Sequence, residues 1–436
     1  MQRVVKFITL GCKVNQYETN AMAQKFLEKG YKVIEEYEQN GEKPDICIIN
    51  TCTVTNMSDR KSRQMLRREK ENNKNVIVVA VGCYAQVAKN ELNKIPEIDL
   101  VLGNNEKVDI VKYVEDYINE NENNIEIEDV MQSRLFSDFG DITFTEKTRA
   151  VVKIQDGCDR FCSYCIIPYA RGRVRSRKPE SIISEITKIA EKDIKEVVIT
   201  GIHIASYGKD FKEEYKLIDL LEEINKIDGI ERIRLGSIEP LLITDEFVER
   251  LKKIDKICHH FHLSLQSGCD ETLKRMNRRY TTEQFKEIVK RLRNTYSDVN
   301  LTTDIIVGFP GETEEEFEKT YRFLDEIKFY KMHIFKYSQR KGTKAAVMQN
   351  QIPGDIKELR SRRLIELSNK NEFEINQKYI GKKVEVLFEE EKEGVFKGHT
   401  ANYILVYCND EKENLSNKIQ EVECIQNLND HILAKC

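Results

Sequence analysis

The stretch VVKIQDGCDRFCSYC (151–165) runs from a β-rich segment into three cysteines spaced C-x3-C-x2-C. Residues 151–155 read as a strand, and Cys158, Cys162 and Cys165 fall in the loop after it. No fourth Cys or His lies nearby, whereas a structural zinc site is normally closed by four ligands. Three thiolates leave one position open. On a cubane iron–sulfur cluster that position is an iron free to hold a substrate. A zinc knuckle is the alternative on spacing alone.

Downstream, strands are expected at 151–155, 196–201, 232–236, 260–266, 301–307 and 332–337, and helices at about 179–191, 215–227, 244–254, 281–294 and 313–327. Six strand–helix units predict an open, partial (β/α)6 barrel, whose functional residues gather at the C-terminal strand ends. Those ends carry Thr200 and Gly201, Ser237 and Glu239, Gln266, and Asp304 with the glycine-rich turn after it. Polar and glycine residues at one end of successive strands suit a polar cofactor. CHHFH (258–262) reads as a strand with alternating faces rather than a metal cluster, and His262 is the histidine expected to reach the cavity.

Upstream, VVKFITLGC (4–12), DICIINTC (45–52) and VIVVAVGC (76–83) are three β-rich runs that each end in a cysteine, with helical patterns at roughly 16–29 and 58–71. A fourth strand (98–103) and a helix (106–119) complete this unit. Alternating strands and helices predict a parallel sheet, and such a sheet puts every strand C-terminus on one edge. Cys12, Cys52 and Cys83 therefore share a rim and form a second three-thiol set; three unrelated loop cysteines are the alternative. Cys47 sits mid-strand as a small buried hydrophobe, and no role is assigned to Cys258, Cys269, Cys408, Cys424 or Cys436.

The expected organisation is an α/β chain in three parts. A parallel-sheet, Rossmann-like domain (1–120) is followed by a linker (121–143), the partial barrel (144–376) and a small β-barrel (377–436). The 436 residues carry a net charge of −4 and a mean hydropathy of −0.55, with no apolar run of membrane-spanning length and no visible secretory signal. Twelve cysteines without sign of export point to metal binding or reactivity rather than disulfides. Basic clusters at 60–70, 171–178, 274–279 and 340–344 read as phosphate-binding footprints, with 171–178 preferred because it adjoins the cysteine loop. Residues 378–436 are acidic, with eight Lys against eleven Asp and Glu.

GCDRFCSYCIIPYARGRVRSR (157–177), TLGCKVNQYET (9–19), INTCTVT (49–55), VGCYAQ (81–86), LSLQSG (263–268), TDIIVGFPGET (303–313) and YSQRKGT (337–343) together resemble the radical S-adenosylmethionine methylthiotransferases. GHTANYILV (398–406) is similar to the TRAM domain that ends those enzymes. The resemblance covers nearly the whole chain and is greatest to the branch acting on N6-threonylcarbamoyladenosine at position 37 of tRNA, next to the anticodon.

It implies two [4Fe-4S] clusters and S-adenosylmethionine as cofactors. Cys158, Cys162 and Cys165 would hold the cluster that cleaves S-adenosylmethionine to a radical able to take hydrogen from adenine C2. Cys12, Cys52 and Cys83 would hold the cluster that carries the inserted sulfur. Thr200, Gly201, Ser237, Glu239, Gln266 and Asp304 are the candidate cofactor contacts. The threonylcarbamoyl carboxylate calls for a cation, and Arg171, Arg173 and Arg175 are the nearest candidates. The implied partners are tRNA, an electron donor and a sulfur source, with no membrane, in the cytoplasm. The sibling reactions on isopentenyladenosine or a ribosomal-protein aspartate are alternatives, as is an iron–sulfur electron carrier or scaffold.

Overall fold

Three buried-strand runs near the N-terminus, each mostly apolar, demand cover on both faces, and the fold supplies it. The structure is a computed structural model that describes residues 2–34, 43–120, 126–144, 148–409 and 414–435. Strands β1 (Val4–Thr9), β2 (Lys32–Ile34), β3 (Ile46–Thr51), β4 (Ile77–Gly82) and β5 (Leu100–Val101) form one parallel sheet in the order β2-β1-β3-β4-β5. Helices α1 (Lys13–Glu28), α2 (Asn56–Asn72), α3 (Cys83–Val87), α4 (Lys89–Leu92) and α5 (Ile110–Glu120) flank it. Val5, Phe7, Ile46 and Ile48 pack with α1 and α5, while Cys47, Ile49, Val78 and Ala80 pack on the opposite face with α2 and α3. In this strand order the chain reverses direction across the sheet between β1 and β3, the crevice where open α/β sheets place ligands.

The second unit holds β6 (Arg149–Asp156), α6 (Ile167–Arg171), β7 (Arg175–Ser176), α7 (Pro179–Ala190), β8 (Glu196–Gly201), α8 (Leu217–Ile224), β9 (Arg232–Leu235), β10 (Ser237–Ile238), α9 (Asp245–Leu251), β11 (His260–Leu263), α10 (Asp270–Arg275), α11 (Thr282–Thr295), β12 (Asn300–Val307), α12 (Glu314–Ile327), β13 (Lys331–Lys336) and α13 (Gly354–Gln377). Parallel ladders join β6-β8-β9 and β10-β11-β12-β13, and a bridge from Ile233 to Ile257 closes the seam between them. Alternate residues such as Val152, Ile199, Leu235, Phe261 and Ile305 face the helices in one large core. The other set, including Lys153, Gln155, Glu196, Arg234, His260, His262 and Asp304, lines a strongly polar interior.

The third unit is a closed antiparallel-rich barrel of β14 (Lys383–Lys392), β15 (Val395–Thr400), β16 (Leu405–Asn409), β18 (Ile432–Lys435) and β17 (Ile419–Asn427), in that spatial order. It closes the N-terminal end of the large barrel. Arg232 donates to the carbonyl oxygens of His399 (3.0 Å) and Glu385 (3.2 Å), and Arg234 donates to those of Ala401 (2.9 Å) and Thr400 (3.3 Å). Arg234 also donates twice to Glu196, at 2.6 and 3.1 Å, with both side chains buried. Tyr403, held at φ +73°, stacks between His260 (4.5 Å) and His399 (4.6 Å).

Several elements differ from the sequence reading. β2 is a three-residue edge strand with no apolar run to announce it, and the strand expected at 98–103 shrinks to Leu100–Val101. β11 stops at Leu263 rather than 266, since Gln266 turns to φ +74°. The 24-residue α13 has no clear apolar period, because its buried face includes Arg360, Ser361, Ser368, Asn371 and Asn376. Of the expected linker, 121–125 lie outside the described residues. The rest is a strap without regular structure that buries Val130, Phe139 and Ile142.

Burial raises the Glu196 carboxyl, but Arg234 and Arg149 outweigh it and hold the group below its usual value. Its contribution is therefore complete above about pH 4.3 and is lost as pH falls through the lowered folded-state value. Glu196→Gln leaves Arg234 buried without its counter-charge and is expected to cost about 3 kcal/mol at pH 7 in urea denaturation. The gap to wild type should narrow below about pH 4.

Candidate functional site

Each cysteine of the N-terminal set is delivered by a strand end to the start of a helix. Cys12 caps α1, Cys83 opens α3, and Cys52 lies three residues before Thr55, whose side chain caps α2. Helix N-termini favour thiolates through their exposed N–H groups. The three thiols converge: Cys12 and Cys52 each lie in the field of Cys83, and Cys52 in that of Cys12. Gly11 makes the approach possible. It sits at φ +103°, and a Cβ there would come within 2.9 Å of Cys52 Sγ.

The second set is equally close. Cys165 lies in the fields of Cys162 and Cys158, and Cys158 in that of Cys162. Its loop is pinned by backbone bonds from Cys158 to Gly172 (3.0 Å) and from Ser163 to Met276 (3.0 Å). Gly157 at φ +72° is obligatory, since a Cβ would fall 1.8 Å from the Arg173 carbonyl oxygen. Arg278 donates to Cys162 Sγ (3.5 Å), Glu239 (3.0 Å) and the Ser264 carbonyl (2.8 Å).

Burial pushes the Cys52 and Cys158 thiols up to about 11 and Cys165 to about 12. Thiols this reluctant to ionise ligate only when a metal takes the place of the proton. Beside the N-terminal set, Lys107, Lys153, Arg171 and Arg175 are buried, and among the described residues their ion-pair partners are Glu18 and Asp156. Arg171 Nε donates to Cys83 Sγ at 3.2 Å. A thiolate-bound cluster brings the negative charge that this surplus calls for, so both cysteine sets fit three-thiolate iron–sulfur sites.

A cavity of about 220 Å³ lies between the Cys165 loop and the segment that follows Cys52. It is lined by Tyr164 and Cys165 from one loop, Val54 and Thr55 from the other, and by Gln266, Asp304 and Phe335. The structure thus brings Gln266 and Asp304 to the Cys165 side. Glu239 faces His203 (3.5 Å) and is tied through Arg278 to Cys162. Thr200 is buried at the end of β8, and Gly201 packs against Gln155 there. Ser237 is exposed on the rim.

CHHFH alternates as a strand should. His260 and His262 both bond Thr302 Oγ1 at 3.0 Å, while His259 turns outward to Asp298. His262, Asp304 and His333 place their polar atoms within 4.8 Å of one another. His333 is the member that sequence reading missed, since an isolated histidine in a strand gives no motif.

In three of the four basic clusters several arginines serve internal contacts, while Arg173, Lys178, Lys274, Arg279, Lys341 and Lys344 stay exposed. In 171–178, Arg171 spends its donors on Cys83, Glu18, Asp156 and Asn15. Arg175 is 1% exposed and binds the Arg171 carbonyl, and Arg177 pairs with Glu185 at 2.7 Å. Neither Arg171 nor Arg175 is free for a substrate carboxylate. Arg173 remains exposed, paired with Asp159 at 3.1 Å. In 274–279, Arg275 binds Glu316 and Arg278 serves the cysteine loop. In 340–344, Arg340 clamps the loop after Cys52 through Thr53 (2.6 Å), Asn56 (2.5 Å) and Asp59 (2.7 Å). α2 keeps its charge outward: Arg60, Lys61, Arg67 and Arg68 are exposed, while Glu69 is buried against Lys6.

Comparison with known proteins agrees with this geometry. The family described as Radical SAM superfamily matches residues 152–324, and Uncharacterized protein family UPF0004 matches residues 4–103. The chain is 43% identical, over 92% of its length and 89% of the relative, to Threonylcarbamoyladenosine tRNA methylthiotransferase MtaB of Bacillus subtilis (strain 168). It is 38% identical, over 87% of its length and 81% of the relative, to tRNA-2-methylthio-N(6)-dimethylallyladenosine synthase of Thermoanaerobacter sp. (strain X514). The radical S-adenosylmethionine methyltransferase TsrM of Kitasatospora setae shares the fold, with a TM-score of 0.58 over 80% of this chain and 77% of that one at 16% identity. The chain belongs to the radical S-adenosylmethionine methylthiotransferases, enzymes that use two [4Fe-4S] clusters and S-adenosylmethionine.

Proposed function

We propose that the protein transfers a methylthio group to C2 of N6-threonylcarbamoyladenosine at position 37 of tRNA. The observation that carries this reading is that two three-thiol sites sit on separate domains, with one cavity lined by Cys165 of the second set and by Val54 and Thr55 of the segment that follows Cys52 of the first. Together the cofactors supply an adenosyl radical, a sulfur and a methyl group. The chain supplies placement. Cys158, Cys162 and Cys165 hold one cluster, with Arg278 donating to Cys162. Cys12, Cys52 and Cys83 hold the other, with Arg171 donating to Cys83. Gln266 and Asp304 line the cavity, Thr200, Gly201 and Glu239 sit at neighbouring strand ends, and Ser237 stands at the rim, as the groups that orient S-adenosylmethionine. A single-stranded anticodon loop can present its base without breaking a duplex.

The tRNA phosphates are assigned to α2, whose outward face carries Arg60, Lys61, Arg67 and Arg68 against the single exposed acid Glu71, and whose preceding loop lines the cavity. The acidic terminal barrel, which is TRAM-like in sequence, closes the far end of the large barrel and is not given the phosphate-binding role. The setting is the cytoplasm, with an electron donor and a sulfur source as further partners. Among the described residues, no helix is long and apolar enough to cross a membrane.

Reconstituted, reduced protein incubated with tRNA and S-adenosylmethionine should form 2-methylthio-N6-threonylcarbamoyladenosine, read by nucleoside mass spectrometry. Product on isopentenyladenosine alone would favour the sibling reaction. No 5′-deoxyadenosine from the wild type would favour a carrier role. Cys158→Ala should abolish 5′-deoxyadenosine, whereas Cys12→Ala and Gly11→Ala should keep it and lose methylthiolation, with iron falling from about eight to about four per chain.

Replacing Arg60, Arg67 and Arg68 by Ala should flatten the slope of log affinity against log salt by about two units, with cluster content intact. An unchanged slope would remove α2 from the tRNA interface.

A further inference from the structure

With Arg171 and Arg175 committed to internal partners, a carboxylated substrate must find its cation elsewhere. Lys13 follows the cluster ligand Cys12 and lines a cavity of about 350 Å³ together with Cys12, Gln16, Arg149, Val198 and Glu389. The cavity is bounded by all three domains, since these residues come from β1–α1, β6–β8 and β14. Lys13 is solvent-accessible, yet charged and aromatic groups surround it. Arg149, Arg234, Glu196 and Tyr403 act on it from the closed end of the large barrel, and it acts on His333 toward the middle.

The acids near it are taken. Glu389 is held by Arg149 (2.8 Å) and His399 (2.7 Å), Glu196 by Arg234 (2.6 Å), and Asp304 by His262 (3.2 Å). Among the described residues the Lys13 ammonium forms no ion pair and no hydrogen bond. A cation that lines a cavity next to other cations and has no partner there is stabilised when an anion arrives.

We propose that Lys13 receives the carboxylate of the threonylcarbamoyl group and so sets which N6-substituted adenosine the enzyme accepts. The inference rests on the substrate reading above and deepens it. N6 and C2 flank the same ring nitrogen, so both lie on one edge of the base. A cation one residue from the sulfur-bearing site can hold the N6 substituent while C2 faces that site. A carboxylate finds a charge-assisted bond here, and a neutral alkyl group in its place leaves the ammonium unpaired.

The test uses anticodon stem-loop RNA carrying N6-threonylcarbamoyladenosine or its carboxyl methyl ester. Equilibrium binding by anisotropy and kcat/KM are compared for wild type, Lys13→Gln and Lys13→Arg. Wild type should prefer the acid to the ester by about ten- to a hundredfold, Lys13→Gln should show a ratio near one, and Lys13→Arg should keep most of the preference. Because the ratio is taken within one preparation, partial loss of a cluster cancels, and iron content checks it. A wild-type preference retained in Lys13→Gln overturns the role of Lys13 and leaves the substrate reading standing. Wild type that binds and converts neither RNA overturns both.

Discussion

Glu18 accepts from Lys107 (2.5 Å), Lys153 (2.7 Å) and Arg171 within one buried cluster, and the rest of the site hangs on that contact. Glu18 belongs to the helix that begins at Cys12, Lys153 to the first barrel strand, and Arg171 to the short helix after the second cysteine set. Asp156 extends the cluster through Lys153 (2.6 Å) and Arg175 (3.7 Å). Burial raises the Glu18 carboxyl, but three cations together pull it well below its usual range, so it stays ionised. Buried ion pairs are a poor source of net stability, but their geometry is narrow. Here that narrowness fixes the angle between two domains, and therefore between two cysteine sets.

A second clamp acts on the other side of the cavity. Arg340, from the end of the large barrel, grips the loop that follows Cys52, and Asn56 of that loop bonds Ser338 and Gln339 in return, each at 3.0 Å. The N-terminal domain is thus held by polar contacts at two separated points, with the cavity between them. A continuous apolar interface would fill that space. Several of the arginines that look like an RNA footprint in the sequence, Arg171, Arg175, Arg177, Arg278 and Arg340 among them, are the fasteners of this arrangement.

The two cysteine patterns were legible because both signals are local: a strand run ending in Cys, and a tight three-cysteine loop. The alternation of six strands and helices was legible for the same reason. What the sequence hid was pairing. Nothing in RGRVRSR (171–177) distinguishes an arginine that meets Glu18, 153 residues earlier, from one that meets solvent. Lys13 was hidden in the opposite way, as one of many lysines whose distinction is that no acid among the described residues comes to meet it. The long α13 escaped because its buried side is built from Arg360, Asn371 and Asn376, so burial there follows hydrogen bonding and leaves no apolar period.

The charge balance at the junction links the cofactor to the fold. Four buried cations face two buried anions, and Arg171 directs a donor at Cys83. With the thiols protonated, that surplus has no paired counter-charge among the described residues. With three thiolates on a cluster it does, and the same arginine then bonds to a charged sulfur in place of a neutral one. Filling the N-terminal site and closing the interface therefore favour each other, since a group that binds one arrangement better must also stabilise it. On this reading the N-terminal domain is held most firmly against the barrel when its three thiolates carry a cluster.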